Sequence, residues 1–200
     1  MKWLLKKIKT YNFFLVLSKW IYDLNFKMAR KNHLLLLLII IVVFGFIFPQ
    51  KISMPVEGAN HSSYHPQSFW FYPWGRSGTH KGVDIFAKQG KKIFSATPGL
   101  VVFCGEISMG GNVILILGPK WRFHYYAHLK EIKISTWSWI NREEIIGIVG
   151  NTGNAIGKPL HLHYSIITPL PYVWLADEDR EGWKKMFYLN PIPYFTNSNL

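Results

Sequence analysis

The stretch IIGIVGNTGNAIGKPLHLHYSII, residues 145–167, decides the fold class. Ile145–Val149 is a short apolar run closed by Gly150, and Leu162–Ile167 is a second short run rich in β-formers. Between them stand the turn signals Gly150 to Gly153 and Gly157 to Pro159. Two brief runs separated by glycine and proline read as strands joined by a loop, with no room for a long amphipathic helix. Gly150-Asn-Thr-Gly153 lacks the lysine–Ser/Thr ending of a phosphate-cradling loop and reads as a tight turn.

The same texture extends upstream. Val83–Phe86, Lys92–Ala96, Leu100–Gly105, Val113–Leu117 and Phe123–His128 are further candidate strands. Gly90, Pro98-Gly99, Gly110-Gly111 and Gly118-Pro119 punctuate them. The expectation is a mainly β domain over residues 69–196, large enough to bury a core. Cys104 falls in an apolar run and is expected in that core. As the sole cysteine it excludes an internal disulfide and any multi-cysteine zinc site. Trp137 and Trp139 alternate on one strand face, which suits sugar stacking or core, and core is the expectation.

Composition limits the rest. The chain has 200 residues, 49% of them hydrophobic and 17% charged, which excludes a disordered protein. The net charge of +12 is uneven: residues 1–50 hold eight Lys/Arg against Asp23, a balance of +7. That excess lies beside the apolar run Leu34–Phe48 (LLLLLIIIVVFGFIF), so no nucleic-acid partner is expected. The run is read as a single transmembrane anchor over 34–48, following a basic cytoplasmic segment over 1–33. Asn32, His33, Pro49 and Gln50 would extend it at the interfaces. Lys27, Arg30 and Lys31 before it place the N-terminus inside and the remainder outside. A cleaved signal peptide is the competing reading. Within 3–26, lysines recur at helical spacing among aromatics, as in a helix lying on the inner leaflet. Residues 49–68, with Pro49, Pro55, Gly58, Asn60 and Pro66, are expected to be a linker reaching at most about 65–70 Å. His61 and His65 lie in it and are expected to be solvated.

The chemistry lies in histidines and one carboxylate. His80-Lys-Gly-Val-Asp84 brings an imidazole and a carboxylate onto a loop entering a strand, and Gly82 lets the loop bend. In His161-Leu-His163 both imidazoles project from one strand face. His124, Tyr126 and His128 would likewise share one face; His124 alone reads as a surface or satisfied core histidine. Catalytic zinc takes three protein ligands from His and Asp/Glu and leaves a position for water. His80, Asp84 and one of His161/His163 would supply them, with the other histidines beside the water. Non-haem iron accepts a similar set.

HKGVD at 80–84, YAHL at 126–129, IVGNTGNAIG at 148–157, HLHYSI at 161–166 and LNPIPYF at 189–195 together resemble the lysostaphin/LytM-type zinc endopeptidases. The resemblance implies an antiparallel β-sheet of the duplicated-hybrid-motif type with its site in a groove between loops. It implies His80, Asp84 and His163 as ligands of one Zn2+ per chain, and His128 and His161 as catalytic residues. The implied substrate is the peptide part of peptidoglycan, cut by a bacterial inner-membrane protein whose domain lies outside the cytoplasm. Tyr72 or Arg76 would stabilise the oxyanion. Ser165 stands where the family usually has an acidic residue, and residues 171–188 form an insertion read as a surface loop. A non-catalytic binding or activator module, and a peptidase acting on a protein substrate, are the alternatives.

Overall fold

The computed structural model describes Lys19 and residues 31–196. The chain divides into two units, 1–44 and 45–200. Residues 31–47 are helical, and from Leu34 to Ile41 their side chains are 45–60% exposed. Among the described residues no helix is long and apolar enough to cross a membrane. At 1.5 Å per residue this stretch reaches about 25 Å, against a hydrocarbon core of about 30 Å. The helix that is described therefore falls short of the transmembrane span expected over 34–48. Pro49 and Gln50 do not lengthen the helix, and the Gln50 side chain is instead bonded to His124 and Arg122. The basic segment expected over 1–33 lies outside the described residues as far as Arg30, Lys19 excepted.

The second unit is built on a nine-stranded antiparallel sheet. Its strands are β1 (Val83–Phe86), β2 (Lys92–Phe94), β3 (Gly99–Ile107), β4 (Gly111–Leu117), β5 (Phe123–Ile132), β6 (Trp139–Ile140), β7 (Ile145–Val149), β8 (His161–Ile167) and β9 (Tyr188–Leu189). The order is β1-β8-β5-β4-β3-β6, with β7 paired to β2 and β5, and β9 to β8. The mainly β expectation holds, and β1 and β7 have the bounds read from sequence. Trp139–Ile140 and Tyr188–Leu189 are too short for a period to reveal them. Trp137 and Trp139, expected in the core, are instead 71% and 66% exposed, because Trp139 pairs at the sheet's end strand. Cys104 is half-buried against the core.

Period-two alternation sorts the side chains of the central strands. Val83 and Ile85 of β1, Leu162, Tyr164 and Ile166 of β8, and His124 and Tyr126 of β5 are all buried in the core. Asp84, His161, His163, Tyr125 and Ala127 occupy the alternate positions. β5 is shared: Phe123–Ala127 pair with β8, whereas Leu129–Ile132 pair with β7. The crossover is His128, with φ +68° at a register shift between β4 and β5. This bulge breaks the alternation. His128 therefore leaves the face of His124 and Tyr126, contrary to the strict pattern, and joins Tyr125 and Ala127.

Residues 49–68 are not an extended linker. Ile52, Val56 and Tyr64 belong to the core, and Tyr64 packs edge-on against Phe195 at 5.9 Å. Ser53 N donates to Ala96 O, Glu57 N to Lys92 O, and Val56 bridges Ile93. Burying an Ile or Val contributes about 1.5–3 kcal/mol, enough to hold a segment that has no period of its own. The Pro/Gly content is real, but widely spaced apolar anchors decide the outcome.

Candidate active site

Strand registry builds the centre of the site. Asp84 of β1 lies opposite His163 of β8, which in turn lies opposite Ala127 of β5. One row thus presents a carboxylate, an imidazole and a methyl group, and the small Ala127 leaves the space above them open. His80 reaches the row from the loop before β1. Its Nε2 lies 3.0 Å from Asp84 Oδ1 and 3.0 Å from His163 Nδ1; His163 Nδ1 lies 2.8 Å from Asp84 Oδ1. Three electron-pair donors converge in a near-equilateral triangle. A tetrahedral metal with bonds of about 2.0–2.2 Å sets its ligand atoms about 3.3–3.6 Å apart, so an outward shift of these side chains by a few tenths of an ångström would admit one. His80, Asp84 and His163 are the residues that could hold a metal ion here, and the donor set fits one.

The outer contacts fix which nitrogen faces inward. His80 Nδ1 donates to Ser68 O at 2.8 Å, leaving Nε2 as the lone pair. Ser165 Oγ donates to Lys81 O at 2.7 Å and accepts from His163 Nε2 at 3.0 Å, leaving Nδ1 inward. Ser165 therefore does a positioning task that its replacement of an acidic residue did not reveal. Burial raises the Asp84 pKa, but the adjoining His163 and His80 imidazoles outweigh it and hold the carboxyl well below the usual range. Burial lowers the pKa of His163 against the opposing pull of Asp84.

His128 and His161 stand together beside this triangle, their rings 5.1 Å apart. His128 Nδ1 donates to Thr152 O at 2.9 Å and His161 Nδ1 to Pro159 O at 2.8 Å. In both, Nε2 is left as the free nitrogen, and that of His161 is 3.9 Å from Asp84 Oδ2. Burial, then the neighbouring His163 and His161, lower the pKa of His128 to about 4. It is a neutral base at neutral pH.

All five residues line one cleft of about 590 Å³, together with Trp74, Phe86, Met109, Tyr125 and Lys158. Tyr125 was missed, although it shares the parity of Ala127; burial raises its pKa to about 12, so it stays a phenol. Neither Tyr72 nor Arg76 lines the cleft. Tyr72 lies under Arg180, and Trp74 takes the nearby wall, its ring 4.2 Å from that of His80. His61 and His65 are exposed and outside the cleft. His124 is fully buried, between Gln50 and Tyr164.

A His–Asp–His triangle and two further imidazoles thus share one cleft on an antiparallel sheet, an arrangement that could hold a metal ion beside two potential bases. Residues 78–172 match the model of peptidase family M23. The chain is 30% identical over 92 residues to the peptidoglycan DD-endopeptidase ShyA of Vibrio cholerae, covering 46% of this chain and 21% of the relative. It is 34% identical over 142 residues to the L-Ala–D-Glu endopeptidase of Bacillus subtilis, covering 66% of this chain and 40% of the relative. The chain thus spans less than half the length of these relatives. Among solved structures, the catalytic domain of lysostaphin from Staphylococcus simulans shares the fold, with a TM-score of 0.54 and 23% identity over 68% of this chain and 95% of that one.

Proposed function

We propose that this protein is a zinc-dependent endopeptidase that hydrolyses peptide bonds in peptidoglycan, with one Zn2+ held by His80, Asp84 and His163. The observation that carries the reading is the convergence of these three donors beside two histidines whose free Nε2 atoms share their cleft. The substrate class rests on the activities named for the Vibrio and Bacillus relatives. Retention of both catalytic histidines and the whole ligand set favours an enzyme over a binding module.

When bound, zinc would polarise the scissile carbonyl and acidify water at neutral pH. The chain's own residues do the rest. His128, neutral and oriented by Thr152 O, takes a proton from the attacking water as the oxygen–carbon bond forms. His161, with Nδ1–H on Pro159 O, stabilises the negative charge that develops on the carbonyl oxygen in its protonated form, in which Nε2 also carries a proton to donate. The C–N bond then breaks, and the imidazolium returns its proton to the leaving amine. Trp74, Phe86 and Met109 give the cleft apolar walls that position the peptide.

We also propose that the helix over 31–47 resides in an apolar phase and tethers the peptidase domain, which begins near residue 50, to the outer face of the cytoplasmic membrane. Its exposed leucines and isoleucines support this, since a helix apolar on every side is poorly solvated. Retention in the membrane pellet after alkaline carbonate washing tests it; release into the supernatant would refute it.

The main experiment incubates the zinc-loaded protein with isolated peptidoglycan and identifies released fragments by mass spectrometry. New amino and carboxyl ends are expected with wild type. His128→Ala should bind the metal equally well and release fragments about 10²–10⁴-fold more slowly. Equal release by the two proteins would refute the assignment of His128.

A further inference from the structure

We propose that the insertion over 171–188 is a brace that positions His80 for the metal, acting through the carboxylate of Glu181. The inference rests on the reading of His80 as a metal ligand, and it concerns residues that lie almost wholly beyond the segment matched to the family.

His80 is the one residue of the triangle not carried by a strand. The chain from residue 68 to 82 holds only a single turn of 3-10 helix, Gly75–Ser77, before β1 begins at Val83. A ligand on such a segment carries the entropy of the whole loop unless something outside it fixes the backbone. Backbone bonds tie Trp70 N to His80 O at 2.7 Å and His80 N to Phe71 O at 2.9 Å, which closes the loop on itself. The insertion then secures the loop to the body of the domain. Trp70 Nε1 donates to Arg180 O at 3.0 Å. Glu181 Oε2 accepts from Thr79 Oγ1 at 2.9 Å, Thr79 N at 3.3 Å and Lys81 Nζ at 3.0 Å. Thr79 and Lys81 are the residues on either side of His80, so one carboxylate oxygen grips both flanks of the ligand.

Four further features fit a purpose-built grip. Glu181 has φ +57°, a left-handed conformation that a non-glycine residue occupies only when its surroundings hold it there. Gly78 closes the approach from the other side: a Cβ at that position would lie 2.8 Å from Glu181 Oε2. Lys184 bonds the second oxygen of Glu181, so the carboxylate is held from within the insertion as well. Lys81 also donates to Ser77 O at 2.7 Å, spreading the restraint along the loop.

Contacts that orient a ligand from outside the coordination sphere typically change metal affinity about 10–100-fold. The test measures Zn2+ affinity of the full chain by chelator competition and the visible absorption of the Co2+-substituted protein. Glu181→Ala should bind Zn2+ about tenfold more weakly and show an altered Co2+ spectrum. Asp179→Ala is the control: it removes an ion pair to Lys185 within the same insertion without touching the loop, and should leave affinity and spectrum as in wild type. If Glu181→Ala fails to fold, Thr79→Val removes only the hydroxyl contact and should weaken Zn2+ binding severalfold. Wild-type affinity and spectrum in Glu181→Ala, or equal losses in Glu181→Ala and Asp179→Ala, would overturn the brace. A wild-type chain that binds no metal would instead overturn the metal-site reading, and the brace with it.

Discussion

His124 offers a quantitative check on the packing behind the site. Its ring is wholly buried, with Nδ1 2.6 Å from Tyr164 OH and Nε2 2.8 Å from the Gln50 side chain. Burial first, and the Arg122 charge second, lower its pKa to about 3. In the unfolded chain the same ring titrates near its ordinary value of about 6.5. A depressed histidine pKa means that the unfolded state binds the extra proton. The stability contributed by neutral His124 is therefore fully present above about pH 6.5 and is lost as the pH falls below that value, levelling off only near pH 3. Between about pH 7 and pH 4.5 the loss from this residue alone should be about 2.5 kcal/mol. Urea unfolding of the metal-free protein across that range, compared with His124→Gln, isolates the residue, because His128 and His163 titrate in both proteins. Wild type should lose about 2.5 kcal/mol more than the variant. Parallel pH profiles would refute the account of a buried, neutral His124.

Ser165→Ala should weaken Zn2+ binding by about tenfold, because His163 then loses the acceptor that turns its Nδ1 lone pair inward; chelator titration measures this. Gly82→Ala should lower the thermal midpoint by several degrees and weaken metal binding, since a Cβ there would meet Ser165 Oγ at 2.4 Å and Tyr164 O at 2.5 Å. Glycine at 82 is needed for this close approach and not for an unusual φ. Ile52→Ala should cost about 2–5 kcal/mol in urea unfolding if the 50s segment is core, and almost nothing if it is a free tether.

The residues of the site were legible because their chemistry is spaced by strand geometry. His161 and His163 share a face for the elementary reason that i and i+2 do, and β8 keeps them there. His128 was legible as a residue but not as a position. Strict alternation sends it into the core beside Tyr126, and only a bulge with a left-handed residue turns it to the cleft. Nothing in FHYYAHL marks that bulge, because it is set by the partner strands β4, β7 and β8. The segment over 49–68 misled in the opposite direction. Its prolines and glycines are local signals, whereas Ile52, Val56 and Tyr64 find their partners across the sheet. Glu181 was illegible for the same reason: it lies 102 residues from Thr79, and local pattern carries no trace of a contact that distant.

The triangle joins His163 to Asp84 and His80 across 79 and 83 positions of the chain. That separation bears on when cutting power arises during the life of a molecule. Pairings of such long range form late in folding, after the intervening strands have assembled. The donor triangle is incomplete until β8 has docked between β1 and β5. Strands β2 to β7, which lie between Asp84 and His163 in the chain, thus set when the three donors can meet.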